Sequence, residues 1–189
     1  MSKQLTSSIL LFLLLSLPVS GNALFTTSLE GGSSWYMGFP HYTDSIPFRS
    51  SVTGDGEYGF GVYAGGWEVS ALVPFHYVSA SPTFDGLSRR SFFSVGGGLR
   101  IGYLFSKTFG WFLSGSLRYN EYAIDQAFLS FGIKTGPYWQ FLSSPSWRMS
   151  LVLPIGVDLR NDITGLMIGL SVRLSYDKKW DGSEGQYAY

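Results

Sequence analysis

Apolar and polar residues alternate along most of this chain after Ala23. The clearest segment covers residues 67–77. One of its faces carries Trp67, Val69, Ala71, Val73, Phe75 and Tyr77, and the other carries Glu68, Ser70, Leu72, Pro74 and His76. A period of two is the spacing of a β-strand, because successive side chains of a strand point to opposite faces. The pattern therefore predicts a strand here.

The same alternation predicts eight strands in all. They cover residues 28–37, 58–64, 67–77, 91–105, 109–119, 128–141, 147–159 and 166–176. Short connections, at 65–66, 106–108 and 142–146, alternate with longer ones at 38–57, 78–90 and 120–127, and only the last hairpin, 160–165, has a short loop on the second side. Strand eight must pair with strand one to close such a sheet, so both termini lie at the end of the short turns. We expect an all-β, eight-stranded, antiparallel, up-and-down β-barrel.

The distribution of charge indicates which face of this barrel meets which medium. The apolar face carries no charge in any strand, while the other face is mostly Gly and Ser with about one charge per strand. These charges are Glu30, Glu68, Arg100, Arg118, Lys134, Arg148, Asp158, Arg160 and Arg173. An Arg or Lys side chain that faces lipid at mid-depth destabilises a barrel by about 2–4 kcal/mol, so a lipid-facing side should lack charge. Aromatic residues near the strand ends are typical of the membrane interfaces. The pattern predicts a transmembrane barrel.

Composition supports this interpretation. Charged residues make up 14% of the chain and aromatic residues 17%, with 24 glycines, whereas soluble domains have about 25% charged residues. No apolar run after Ala23 is long enough for a spanning helix. The absence of cysteine excludes disulfides and thiolate metal sites. Equal numbers of acidic and basic residues, 13 of each, give no reason to expect a nucleic-acid partner.

The first 23 residues predict a signal peptide. Lys3 forms a short positive region, residues 9–17 form an apolar run, and Gly21 and Ala23 are small residues suited to cleavage after Ala23. The apolar run is only nine residues long, whereas a spanning helix needs about 20. We expect residues 24–176 to form the barrel and residues 177–189 to form a periplasmic tail.

From residue 25 to residue 176 the chain resembles the small eight-stranded outer-membrane proteins of the OmpA-transmembrane, OmpX and OmpW type. The resemblance rests on architecture. Gly169, Val172, Leu174 and Tyr176 also resemble the C-terminal signal that the barrel-assembly machinery reads, although thirteen residues follow it and Tyr187 and Tyr189 offer an alternative terminus. The resemblance implies a bacterial outer-membrane location, with membrane lipids and lipopolysaccharide-like glycolipid as neighbours. We expect a monomer.

Inward-facing charges form two predicted groups. The lower group, in the periplasmic half, contains Glu30, Glu68, Arg100, Arg148 and Arg173, and the upper group contains His76, Arg118, Lys134 and Asp158. Because an uncompensated ion in so narrow an interior is costly, these charges must pair. Arginine suits such bridging because its planar fork donates several hydrogen bonds. We therefore expect a plugged interior in which Glu30 and Glu68 bridge the lower arginines, rather than an open pore.

Three classes of function remain open. The leading interpretation is a structural or surface-interaction protein without a cofactor, and the alternatives are a narrow channel or carrier of small hydrophobic molecules and a lipid A-modifying enzyme. Catalysis would need a base beside a nucleophile and an orienting carboxylate. The sequence contains two histidines that could act as the base, His41 and His76. Asp44 and Ser45 lie close to His41 along the chain. No spacing typical of a metal site occurs, and we expect no catalytic residue.

Overall fold

The computed structural model describes residues 23–40, 49–78, 92–120, 129–160 and 163–179, and these form one antiparallel sheet. Its strands are β1 (Leu24–Pro40), β2 (Arg49–Ala64), β3 (Trp67–Val78), β4 (Phe92–Leu104), β5 (Phe109–Asn120), β6 (Leu129–Ser143), β7 (Trp147–Val152), β8 (Ile155–Leu159) and β9 (Ile163–Lys179). The described residues include no helix that could cross a membrane.

Neighbouring strands follow the order of the chain, and β1 pairs with β9 to close the ring. Segments β7 and β8 both lie between β6 and β9, so they are two halves of one interrupted strand and the barrel has eight strand positions. This arrangement confirms the predicted eight-stranded, up-and-down antiparallel barrel.

Three strands, β1, β2 and β9, are longer by six residues or more than the sequence pattern predicts. The first begins at Leu24 rather than Ser28, and the last continues to Lys179, beyond Tyr176. The prediction that residues 38–57 form a loop is wrong at both ends, because β1 runs to Pro40 and β2 begins at Arg49. The first half of β2 pairs with β1, from Gly38 opposite Arg49 to Glu30 opposite Glu57.

The predicted continuous strand 147–159 is interrupted at Leu153 and Pro154. Proline has no backbone N–H and therefore cannot donate to a neighbouring strand. The wall nevertheless stays joined on both sides of the break. The Leu153 amide donates to the Pro137 carbonyl at 3.1 Å, and the Gly169 amide donates to the Pro154 carbonyl at 2.8 Å.

The short turns and both ends of the described barrel lie at one end of the ring, here called the basal end. Leu24 at the start of β1 pairs with Tyr63 of β2 and Lys179 of β9. Gly65 and Gly66 join β2 to β3 with φ angles of 57° and 86°. A two-residue turn with positive φ at both positions matches the twist of its strands, and glycine adopts it without steric cost.

Outward-facing side chains are apolar and exposed over the whole ring, among them Leu29, Trp35, Leu99, Leu113, Leu117, Leu129, Ile168 and Leu170. Aromatic pairs lie near the basal end. Trp67 and Tyr103 have ring centres 4.5 Å apart, and Trp147 and Tyr176 have ring centres 4.8 Å apart. Most inward-facing side chains are small, polar or charged, a few are apolar or aromatic, and they are largely buried. Such an inside-out distribution of polarity suits a barrel surrounded by lipid.

Candidate functional site: the charged barrel interior

The barrel interior holds every carboxylate in the part of the chain that the structure describes. They are Glu30, Asp55, Glu57, Glu68, Asp158 and Asp177. Six basic side chains share this interior: Arg100, Arg118, Lys134, Arg148, Arg160 and Arg173. The formal charges of these twelve described side chains therefore balance when His76 is neutral. Balance is required because unpaired charges in so narrow a space would cost several kcal/mol, of the order of 3–5.

Glu30 lies at the centre of the network. Its Oε2 accepts from the NH2 of Arg100 at 3.0 Å and from the Nε of Arg173 at 2.8 Å. Its Oε1 accepts from the Ser171 hydroxyl at 2.6 Å. The structure thus brings together three members of the predicted lower group. Glu30 and Arg173 lie farther from the basal end than the pattern suggests, because β1 begins at Leu24 and β9 continues to Lys179.

Glu57 joins the two predicted groups. It contacts Arg100 through Oε2, and its Oε1 accepts from the Lys134 Nζ at 3.1 Å. Lys134 also lies 3.5 Å from Asp55. Both carboxylates belong to the half of β2 that the sequence pattern assigned to a loop. A single chain of contacts therefore connects His76, through Asp55, Lys134 and Glu57, to Arg100.

His76 is buried in the half of the interior away from the basal end. Its Nδ1 hydrogen-bonds to Asp55 Oδ1 at 2.7 Å. The other oxygen of Asp55 accepts from the Ser34 hydroxyl at 2.6 Å and from the Thr53 hydroxyl at 3.2 Å. The Nε2 atom of His76 has no hydrogen-bond partner among the described residues, so no serine hydroxyl there is placed for activation by this imidazole.

Arg118 and Asp158 form a separate buried pair in the upper group. The Arg118 NH2 donates to Asp158 Oδ1 at 2.6 Å, and both side chains are almost fully buried. Gly132 makes room for this guanidinium, because a Cβ at that position would lie 3.1 Å from the Arg118 NH2. All four residues of the predicted upper group thus lie in the interior. His76 and Lys134 belong to the chain of contacts that leads to Arg100, and the other two form this pair.

Arg148 organises a third cluster near the basal end. Its Nε and NH2 donate to the two oxygens of Asp177 at 2.6 and 2.9 Å, and its NH1 lies 3.5 Å from Glu68. NH2 also donates to the Thr26 hydroxyl at 3.2 Å. The guanidinium carbon lies 4.1 Å from the centre of the Tyr63 ring, within the range of a cation–π contact. One arginine of β7 therefore contacts four other strands at this end.

An apolar layer lies between the cluster around Arg148 and the network around Glu30. It consists of Phe112, Tyr138 and Val152, all buried. The guanidinium of Arg173 lies 5.5 Å from the Phe112 ring centre and 5.6 Å from that of Tyr138, and Arg100 lies 5.7 Å from Phe112. Aromatic rings and charged groups thus alternate along the barrel interior.

A small cavity lies beside Glu30 and Lys134. It has space of the order of one water molecule.

No group of three or more ligand-type side chains among the described residues could hold a metal ion. His41, Asp44 and Ser45 lie outside the described residues. Three interior carboxylates escaped the sequence pattern: Asp55 and Glu57, from the predicted loop, and Asp177, from the predicted tail. Their alternation with small outward residues was the only available signal for the first two.

No protein-family model and no curated protein sequence matches this chain. Solved structures do match. The attachment invasion locus protein Ail of Yersinia pestis has a TM-score of 0.51 at 9% identity, over 79% of this chain and 97% of Ail. Neisserial surface protein A has a TM-score of 0.46 at 11% identity, over 82% and 97%. The outer membrane protein OprG of Pseudomonas aeruginosa has a TM-score of 0.43 at 10% identity, over 82% and 97%.

At identities this low, structural likeness shows the fold alone. The chain has the fold of the small eight-stranded outer-membrane β-barrels, as the sequence resemblance predicts.

Proposed function

We propose that this chain is a bacterial outer-membrane protein with a closed interior and a structural or surface-interaction role. The observation that carries the proposal is the combination of an apolar outer face with an interior in which ion pairs and aromatic rings alternate. The apolar face suits lipid, and among the described residues the buried contacts of Glu30, Phe112 and Arg148 fill the interior at successive levels. Other molecules would then bind on the outside of the barrel.

The network supports a closed barrel on energetic grounds as well. Opening a path would separate Glu30 from Arg100 and Arg173 and would also move the Phe112 ring. Removing one partner from a buried ion pair typically costs about 3–5 kcal/mol. Several such contacts would have to break together. A steady population of open channels is therefore not expected.

The membrane location is tested by protease treatment of intact cells that express the chain. We expect cleavage only in segments between the strands, with the barrel protected, and mature protein in the outer-membrane fraction. Recovery of the chain from the cytoplasm or the periplasm in soluble form would contradict the location.

Conductance across a planar bilayer tests the closed interior. We expect the purified protein to insert without conducting, whereas a Glu68→Ala variant, in which Arg148 loses one of its two carboxylates, should flicker or lose stability. A Thr108→Ser variant is the matched control, since this side chain is exposed at the same end. Large, stable channels in the unmodified protein would support the channel alternative instead. A changed lipid A mass spectrum on expression would support the enzyme alternative.

A further inference from the structure

In the part of the chain that the structure describes, the charged side chains on the outside of the barrel are few and of one sign. Among the side chains that the structure describes, the exposed charged ones are Lys107, Lys178 and Lys179. All three lie at the basal end, which carries no described carboxylate on its outer surface. These three lysines are called the basal rim. The interior balances its own charges, so the basal rim gives the described outer surface a net positive charge.

Aromatic rings accompany these lysines. Lys107 lies in the turn between β4 and β5, where the rings of Phe105 and Phe109 are 6.3 Å apart. Lys178 pairs with Phe25 across the seam between β9 and β1. Exposed aromatic side chains at the end of a membrane-spanning segment lie at the level of the lipid headgroups. The lysines that accompany them therefore lie at headgroup depth.

The two parts of the basal rim face opposite sides of the barrel. Following the ring from the β9–β1 seam, the β4–β5 turn lies about half-way around. Lys107 and the pair Lys178–Lys179 can therefore contact different lipid molecules at the same time. Two such contacts across the barrel diameter would hold both its depth and its tilt in the bilayer.

We propose that the basal rim binds the phosphates of anionic glycerophospholipids in the leaflet at the basal end. The inference rests on the proposed membrane location. A lysine ammonium is a compact charge that can approach a phosphate closely. One lysine near an anionic membrane surface strengthens binding by about fivefold. Neutralising the rim should therefore cause a large loss of lipid preference without disturbing the interior network.

The test uses the full chain folded into bilayers of phosphatidylcholine that contain phosphatidylglycerol. Spin-labelled lipids report the association constant of each headgroup at the protein surface. We expect the unmodified protein to prefer phosphatidylglycerol and the triple variant K107Q/K178Q/K179Q to lose most of that preference. The matched control K107R/K178R/K179R keeps the charge and should keep the preference. Added salt should weaken the preference, because it screens exposed charges.

Each of the following results would overturn the inference. An unchanged preference for phosphatidylglycerol in the glutamine variant would show that the basal rim does not select the lipid. Binding of the unmodified protein to purified peptidoglycan that is lost in the same variant, without any lipid preference, would identify an anionic glycan as the partner. If the unmodified protein fails to enter bilayers, both the proposed membrane location and this inference are wrong. If it enters bilayers but shows no lipid preference, only this inference is wrong.

Discussion

Replacing Asp177 with alanine should destabilise the folded barrel by about 3 kcal/mol. This residue lies beyond Tyr176, where the sequence pattern placed the end of the barrel. In the structure its two oxygens accept from the Nε and NH2 of Arg148 at 2.6 and 2.9 Å. A bidentate pair of this kind is among the strongest hydrogen-bonded arrangements in proteins. Its loss would leave the guanidinium buried with fewer partners.

The expected magnitude follows from the burial of the pair. The Arg148 and Asp177 side chains are 8% and 3% exposed. Removing one partner of such a pair costs about 3–5 kcal/mol. We expect the lower end of that range, because Glu68, 3.5 Å from the Arg148 NH1, remains as a counterion.

Urea unfolding of the protein from phospholipid vesicles, followed by tryptophan fluorescence, measures this change in the free energy of unfolding. The control variant Thr108→Ser alters an exposed residue at the same end of the barrel and should stay within about 0.5 kcal/mol of the unmodified protein. A triple variant, E68Q/R148M/D177L, should recover most of the loss, since it leaves none of the three charges of this cluster unpaired.

A loss below about 1 kcal/mol for Asp177→Ala would be typical of a solvent-exposed pair and would refute this reasoning. So would strict additivity of Arg148→Met and Asp177→Ala, because residues in direct contact are expected to show coupling.

Three further predictions concern the wall, the packing and the export of the chain. Leu113→Arg should reduce folding into bilayers by about 2–4 kcal/mol, since Leu113 faces outward and is exposed; equal folding yields for the variant and the unmodified protein would contradict its lipid-facing position. Gly110→Ala should destabilise the barrel by about 1–3 kcal/mol in the same urea assay, because the added Cβ would overlap the Tyr138 ring; a loss that persists in a Tyr138→Ala background would rule out this cause. Mass spectrometry of the mature protein from a native membrane fraction should find its first residue at Leu24 or within a few residues of it, and an intact Met1 there would contradict export.

The sequence predicted the strands whose outward positions are large and apolar. In Trp67–Val78, for example, aromatic and branched residues alternate with polar ones, and the structure has this strand almost as predicted. The first half of β2 shows why others escaped. Its residues Thr53, Asp55 and Glu57 face inward, but the neighbouring outward positions, at 54 and 56, are glycines. Without large apolar side chains the alternation is invisible, and only the pairing with β1 places this segment in the wall.

The interior charges were predictable as a set but not as pairs. Alternation assigns Glu30, Arg100 and Arg173 to the interior, because each follows the phase of its own strand. Which charges meet depends on the stagger between strands, and a strand-by-strand pattern contains no information about stagger. The role of Glu57 as the link between Arg100 and Lys134 therefore required the structure.

A scan of single cysteines along β5 tests the central claim, a closed barrel with lipid outside and a filled interior, most directly. The chain has no cysteine of its own, so each introduced residue can carry one spin label. In bilayers, labels at Leu113 and Leu117 should collide freely with dissolved oxygen, which concentrates in lipid. Labels at Ser114 and Ser116 should be shielded both from oxygen and from a water-soluble paramagnetic reagent. This period-two contrast is the result that the account predicts, and ready access of the water-soluble reagent to Ser114 and Ser116 would contradict it.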